Sequence, residues 1–195
     1  MELLFSIALG ISLAATCGLR AFLPLFLAGA SARWGGVPLT EAFQWLAGGP
    51  ALAALSVAVV VEIAADKVPA VDHVLDLIQG PVRTIAGGVV AAAVVAELPG
   101  WATALVAIVA GSGAALTVHS AKSLLRLGST ATTAGLANPL LSLGEDVVCF
   151  LTAVLSLLLW VVAALVAAAA VGVAGYVVVR LVRRRRAPRP AADAA

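Results

Sequence analysis

Residues 3–30 read LLFSIALGISLAATCGLRAFLPLFLAGA, an apolar run whose single charge is Arg20 and whose single proline is Pro24. About 20 apolar residues suffice to cross a bilayer as a helix, so this stretch is read as a membrane span. It has no basic leading region and is too long for a signal-peptide core, which makes it a retained span rather than a cleaved leader. Within Gly18-Leu19-Arg20-Ala21-Phe22-Leu23-Pro24-Leu25, Gly18 is permissive, and Pro24 lacks the N–H that would bond the carbonyl of Arg20. The helix is therefore expected to be kinked or broken beside its charge. Broken helices are tolerated at membrane depth only where the freed backbone groups meet protein or water, and transporters build binding sites from them.

The whole chain has the same character. It has 195 residues, 63% hydrophobic and 11% charged, with a mean hydropathy of +1.11, beyond the range of ordinary soluble domains. A chain of this size cannot enclose several runs of about 18 apolar residues in a soluble core. The expected fold is all-α: a polytopic transmembrane helical bundle in one domain, residues 1–182, followed by a basic, Pro/Ala-rich, disordered cytoplasmic tail at 183–195. Arg180, Arg183, Arg184, Arg185, Arg186 and Arg189 crowd that end. They read as a topology signal and lipid anchor, because no aromatic interleaving points to nucleic acid. Cys17 and Cys149 lack CxxC spacing and read as small buried hydrophobes.

Further apolar runs cover about Pro50–Ala65, Thr84–Ala96, Trp101–Val118 and Val147–Val182. Glu97-Leu98-Pro99-Gly100 is a turn signature that makes a membrane hairpin of the runs on either side. The last run reads either as one long tilted helix or as two short spans bent near Gly172 and Gly175. Five spans would set Lys67, Arg83, Lys122 and Arg126 against the C-terminal Arg run, whereas six bring them together. An even number is therefore favoured, with both termini cytoplasmic; a re-entrant segment in place of one span gives the same result.

Charges inside such runs cost about 2.5 to 3.5 kcal/mol each at a helix centre, so they pair, line a cavity or do work. Glu62 and Asp66, four apart, share one helix face and repel unless countered. With Arg20 and Lys67 they form the candidate intramembrane polar site, either a structural ion pair or a proton or cation site. Asp72 and Asp76 repeat the spacing beyond Pro69, on an expected amphipathic surface helix with Val71, Val74, Leu75 and Ile78 toward the membrane. Solvated carboxylates are the reading there; the spacing matches no EF-hand loop, and no metal is assigned. Residues 111–122, ending in His119 and Lys122, echo Gly10–Arg20, and Glu145-Asp146 echoes the earlier acidic cluster, the pattern an internal duplication would leave. The alternative for Glu145 and Asp146 is a helix N-terminus, where acidic residues are electrostatically favoured. His119 reads as a satisfied interfacial histidine. Asp72, Asp76, His119, Lys122, Glu145 and Asp146 are the secondary candidates.

Gly18-Leu-Arg20-Ala-Phe-Leu-Pro24-Leu, Glu62-x3-Asp66-Lys67-x-Pro69-x2-Asp72, Ala86-Gly87-Gly88 and Glu145-Asp146, in this order, resemble the bacterial membrane-protein family known as domain of unknown function 4126. The resemblance spans the chain except its basic tail and is strongest at Gly18-Leu19-Arg20-Ala21 and Asp66-Lys67-Val68-Pro69. It implies a multi-span protein of the bacterial inner membrane and brings no activity with it.

The functional expectation is a small transporter or channel-like protein for an ion, a small charged solute or a lipid headgroup. The alternative is a membrane scaffold or assembly protein whose buried charges fix helix register. A third reading, Mg²⁺-dependent lipid phosphotransfer, borrows Asp72-x3-Asp76, but the Asp-Gly and Ala-Arg offsets of CDP-alcohol phosphotransferases are missing. No enzyme activity and no cofactor are assigned. The bilayer is the expected partner, with homo-oligomerisation through Ala- and Gly-rich faces compatible with the composition.

Overall fold

The computed structural model describes residues 2–67, 69–95, 98–158, 169–177 and 179–180, without the side chains of Glu2 and residues 69–77. The expected tail and residues 159–168, on which the choice between one and two final spans turns, lie outside the described residues.

All regular structure among the described residues is helical: α1 (Glu2–Cys17), α2 (Phe22–Arg33), a 3-10 turn (Glu41–Ala47), α3 (Gly49–Ala65), α4 (Pro69–Val94), α5 (Gly100–Val106), α6 (Gly113–Thr133) and α7 (Asn138–Leu158). A π-helical segment, Ala107–Ser112, joins α5 to α6 into one helix of 34 residues. The protein is an all-α helical bundle.

Three contacts fix the path of the chain. Gly10 in α1 packs on Ala91, Val94 and Val95 near the end of α4. Thr40, beyond α2, donates its N–H to the Ala93 carbonyl at 2.8 Å. Between them, Arg20 reaches Glu62 and Asp66 at the far end of α3. So α1 runs toward that charged end and α2 runs back, and the span expected over residues 3–30 is two opposed helices of 16 and 12 residues. The break falls where the sequence placed it. Pro24 sits in the first turn of α2, where a missing N–H leaves no helical carbonyl unpaired. The first N–H groups that α2 leaves open, those of Ala21 and Phe22, donate to the Glu62 carboxylate at 2.9 and 3.2 Å. A carboxylate at that helix end also meets the positive pole of the helix dipole.

Small residues let the helices meet closely. A Cβ on Gly18 would lie 2.5 Å from the Ala115 carbonyl oxygen, and one on Gly87 would lie 2.5 Å from the Ala115 Cβ. The π segment packs at this crossing, with Gly111 against Ala91, Gly87 and Gly88. The sequence divided residues 69–94 into an amphipathic surface helix and a separate span. They form one 26-residue helix that passes through Pro81, so that Gln79 and Arg83 continue the same rod.

Beside an apolar core that includes Leu9, Leu13, Val90 and Val94, the bundle encloses charges and turns large apolar side chains outward. Arg20, Glu62, Asp66, Arg83, Lys122 and Arg126 are buried, while Val57, Val60 and Val61 on α3, Trp101 and Leu105 on α5, and Leu140, Phe150, Leu151 and Leu158 on α7 are exposed. Exposed apolar surface of that extent marks a lipid or protein contact. Gly100–Thr133 and Asn138–Leu158 are each long and apolar enough to cross a bilayer, and the 3-10 turn with α3, bent by 66°, makes a third if it is counted as one span. These features identify a membrane-associated bundle.

Gly87→Leu is expected to lower stability by about 1–3 kcal/mol through overpacking against Ala115. Gly128→Ala, where an added Cβ meets nothing within 4 Å, should leave the melting temperature unchanged or raise it slightly. Thermal unfolding of the detergent-solubilised variants, followed by circular dichroism, checks both.

Candidate functional site

Each of the charges sits at a helix position that aims it inward at one level of the bundle. Arg20 lies in the α1–α2 break, Glu62 in the last turn of α3, and Asp66 and Lys67 directly after that turn. Arg83 lies midway along α4, while His119, Lys122 and Arg126 fall three and four residues apart on one face of α6. Ser142, Glu145 and Asp146 come from the second turn of α7 onward. Four helices, α3, α4, α6 and α7, and the α1–α2 break thus supply one layer.

Asp66 is the centre of the layer. Its Oδ2 accepts from Arg20 Nη1, from Lys122 Nζ at 3.4 Å and from Arg126 Nη2 at 3.3 Å. Three cations gathered on one carboxylate oxygen repel one another, and further carboxylates offset this. Glu145 takes Lys122 at 3.1 Å and Arg126 at 3.0 Å. Asp146 takes Arg20 through Nη2 and Lys67 at 2.7 Å. Ser142 Oγ accepts from Arg20 at 3.1 Å and from Lys67 at 2.9 Å, tying α7 to the α1–α2 break and to the end of α3.

A second arm runs through α4. Arg83 lies 3.6 Å from the Glu62 carboxylate, donates to Gln79 Oε1 and meets His119 Nδ1 at 3.1 Å. A guanidinium has no acceptor, so Nδ1 accepts this bond and His119 carries its proton on Nε2. Glu62 thereby serves two roles, capping α2 and countering Arg83. The pair Glu62 and Asp66 does share a face, as their spacing requires, and the repulsion between them is met by cations from α1, α4 and α6.

Exposure is graded across the layer. The side chains of Arg20 and Asp66 are 0% exposed, those of Glu145 and Asp146 are 13% and 19%, and that of Lys67 is 30%. The α7 carboxylates and Lys67 therefore form the open side. Beside them, between α6 and α7, lies an apolar groove of about 450 Å³ that ends on Glu145.

All four primary sequence candidates, Arg20, Glu62, Asp66 and Lys67, meet in this one network. Of the secondary candidates, His119, Lys122, Glu145 and Asp146 join it. The side chains of Asp72 and Asp76 lie outside the described residues, and with them the surface-carboxylate and phosphotransferase readings. One expectation is corrected. Glu145 and Asp146 are not helix-capping residues: α7 begins at Asn138, about two turns earlier, so they lie within the helix and pair with cations. His119 is enclosed at 8% exposure and has Arg83 as a partner.

Sequence reasoning missed Arg83, Arg126, Ser142 and Gln79 as members of the layer. Arg83 and Arg126 were used only to count topology. Their helical phase was a usable signal, since Gln79 and Arg83 are four apart and His119, Lys122 and Arg126 trace a single stripe.

Fold and site define an α-helical bundle of membrane type, organised around a buried ion-pair layer. The family model described as domain of unknown function (DUF4126) matches residues 7–180, and the chain belongs to that family. Comparison with curated proteins and with solved structures gives no match.

Removing one partner of a buried pair strands the others. Asp66→Leu is expected to cost about 3–5 kcal/mol, whereas Lys67→Gln, at a partly exposed pair, should cost less than about 1 kcal/mol. Chemical denaturation in mixed micelles checks the contrast.

Proposed function

We propose that this is a multi-pass protein of the bacterial inner membrane that works as a small transporter or channel-like protein, with the charge layer as its binding site for an ion, a charged solute or a lipid headgroup. One observation carries the reading: the layer surrounds a broken helix, and two of its carboxylates, Glu145 and Asp146, are held by buried cations while staying partly open. An interrupted helix whose N-terminus faces charge is the geometry by which transporters bind charged groups. Here Glu62 occupies that N-terminus, and the α7 carboxylates are the members of the layer that an incoming charge can reach.

The same geometry supports an orientation. The helices alternate, with α1, α3 and α5–α6 running toward the layer and α2, α4 and α7 running away from it. Lys67, Arg83, Lys122 and Arg126 cluster at the layer, which by charge bias faces the cytoplasm. On this reading α1 begins on the outer side.

A scaffold is the second reading. It is favoured by the fact that each of the four carboxylates Glu62, Asp66, Glu145 and Asp146 already has a cation within 4.0 Å. Flux separates the two. In proteoliposomes, Asp146→Asn is expected to reduce solute or lipid flux by about tenfold or more while the chain stays folded, with thermal stability lowered because buried Arg20 loses one of its two carboxylate partners. A scaffold would show no flux above empty vesicles across cations, anions and labelled lipids. Orientation has its own check, because Cys17 and Cys149 are buried and free. An impermeant maleimide should label Gly35→Cys from outside and Gly135→Cys only after the inner face is opened, with the parent chain silent.

A further inference from the structure

The tryptophans among the described residues are Trp34, Trp45 and Trp101, and they stand 77%, 60% and 74% exposed. They come from three separate segments: Trp34 follows the last residue of α2, Trp45 lies in the 3-10 turn and Trp101 in the first turn of α5. Packing gathers these segments at the end of the bundle away from the charges. Arg33 donates to the Ala47 carbonyl at 3.1 Å, tying the end of α2 to the end of the turn. Thr40 bonds the Ala92 and Ala93 carbonyls in the last turn of α4. That helix ends at Val94, and α5 begins at Gly100.

Folded proteins keep most tryptophan surface covered, so three exposed rings at one end call for an environment other than water. An indole joins an apolar body to a polar N–H, and it collects where hydrocarbon meets headgroups. The neighbours suit that boundary. Arg33, Glu41 and Gln44 are exposed near the rings, whereas Val57, Val60 and Val61 are exposed farther along α3 toward the layer.

Helix lengths then set the depth of the charges. Phe22 marks the level of the layer through its bond to Glu62, and from there α2 rises about 18 Å to Arg33. Along the helix from His119 back to Trp101 the rise is about 27 Å. On the other side of the layer, α6 from Arg126 to Thr133 and α7 from Glu145 back to Asn138 each extend about 10 Å. The path from Arg33 through the layer to the α6–α7 connection thus matches a hydrocarbon core of about 30 Å, with Trp101 farther out at headgroup level.

We propose that Trp34, Trp45 and Trp101 anchor the bundle in one headgroup interface of the bilayer, and that the charge layer consequently lies within the hydrocarbon core, about 10 Å short of the opposite interface. This rests on the reading of the chain as a multi-pass membrane protein and adds the depth of its layer; on the orientation given above, the tryptophan end is the outer one. A charge at that depth has no bulk water beside it, which gives the dense pairing of Arg20, Asp66 and Lys122 its physical reason.

Tryptophan fluorescence of the full chain in vesicles of phosphatidylcholine brominated at chosen depths tests both parts. Each of Trp34, Trp45 and Trp101, left alone after Trp→Phe replacement of the others, should lose more emission to bromine near the ester end of the acyl chain than to bromine near its terminal methyl. Leu125→Trp on α6 and Val148→Trp on α7, exposed positions beside the layer, should show the reverse order in a tryptophan-free background, and either one reports the level if the other fails to fold. If the three natural rings respond best to the deep bromine, the anchoring is overturned. If Leu125→Trp and Val148→Trp respond best to the shallow bromine, the layer lies at the surface and the depth is overturned. Both results leave the multi-pass reading standing. If no brominated lipid quenches any of these tryptophans, the proposal and that reading fail together.

Discussion

A carboxylate buried among helices has to be neutralised by its neighbours, and in this protein Asp66 does that with three cations on one oxygen. The rest of the bundle is arranged to make this possible. Arg20 reaches Asp66 because the chain turns back at residues 18–21, and the turn is tolerable because Glu62, one helical turn before Asp66, accepts the N–H groups that α2 leaves open. Lys122 and Arg126 reach it from α6, which approaches closely enough because Gly18 and Gly87 leave room for Ala115. Close backbone packing and charge pairing are two requirements of one geometry.

The layer is asymmetric, and this is what connects structure to function. Its α3 carboxylates are enclosed, each with several partners from other helices. Its α7 carboxylates are partly open, held by Arg20, Lys67, Lys122 and Arg126 at a groove that opens to the apolar exterior. The most enclosed charges are therefore those around Asp66, and the partly open ones lie on α7 and at Lys67.

Much of this was legible in the sequence for a simple physical reason: charge inside an apolar run is costly, so its presence announces a partner. Arg20, Glu62, Asp66 and Lys67 stood out on that ground, as did the break at Gly18 and Pro24, and the family was readable from the same residues. What failed had a common cause. The stretch between Val118 and Val147, rich in Ser, Thr and Gly, separates two apolar runs in the sequence, yet α6 and α7 run through most of it. Glu145 and Asp146 were consequently placed at a helix end, and Arg126 outside the bundle. The reversal of the chain within residues 3–30 was likewise invisible, because hydropathy gives the length of an apolar run and says nothing about its direction.

The central claim is that the charges form one coupled unit built on Arg20 and Asp66. A double-mutant cycle tests it most directly, with Arg20→Met, Asp66→Leu and the double variant compared by reversible unfolding in the same micelles. The double variant should be less destabilised than the sum of the single variants, with a coupling energy of about 1–3 kcal/mol, as expected for residues of one ion-pair network. Additive effects, within about 0.5 kcal/mol, would contradict the account, because Arg20 and Asp66 would then be separate buried charges sharing a layer by position alone.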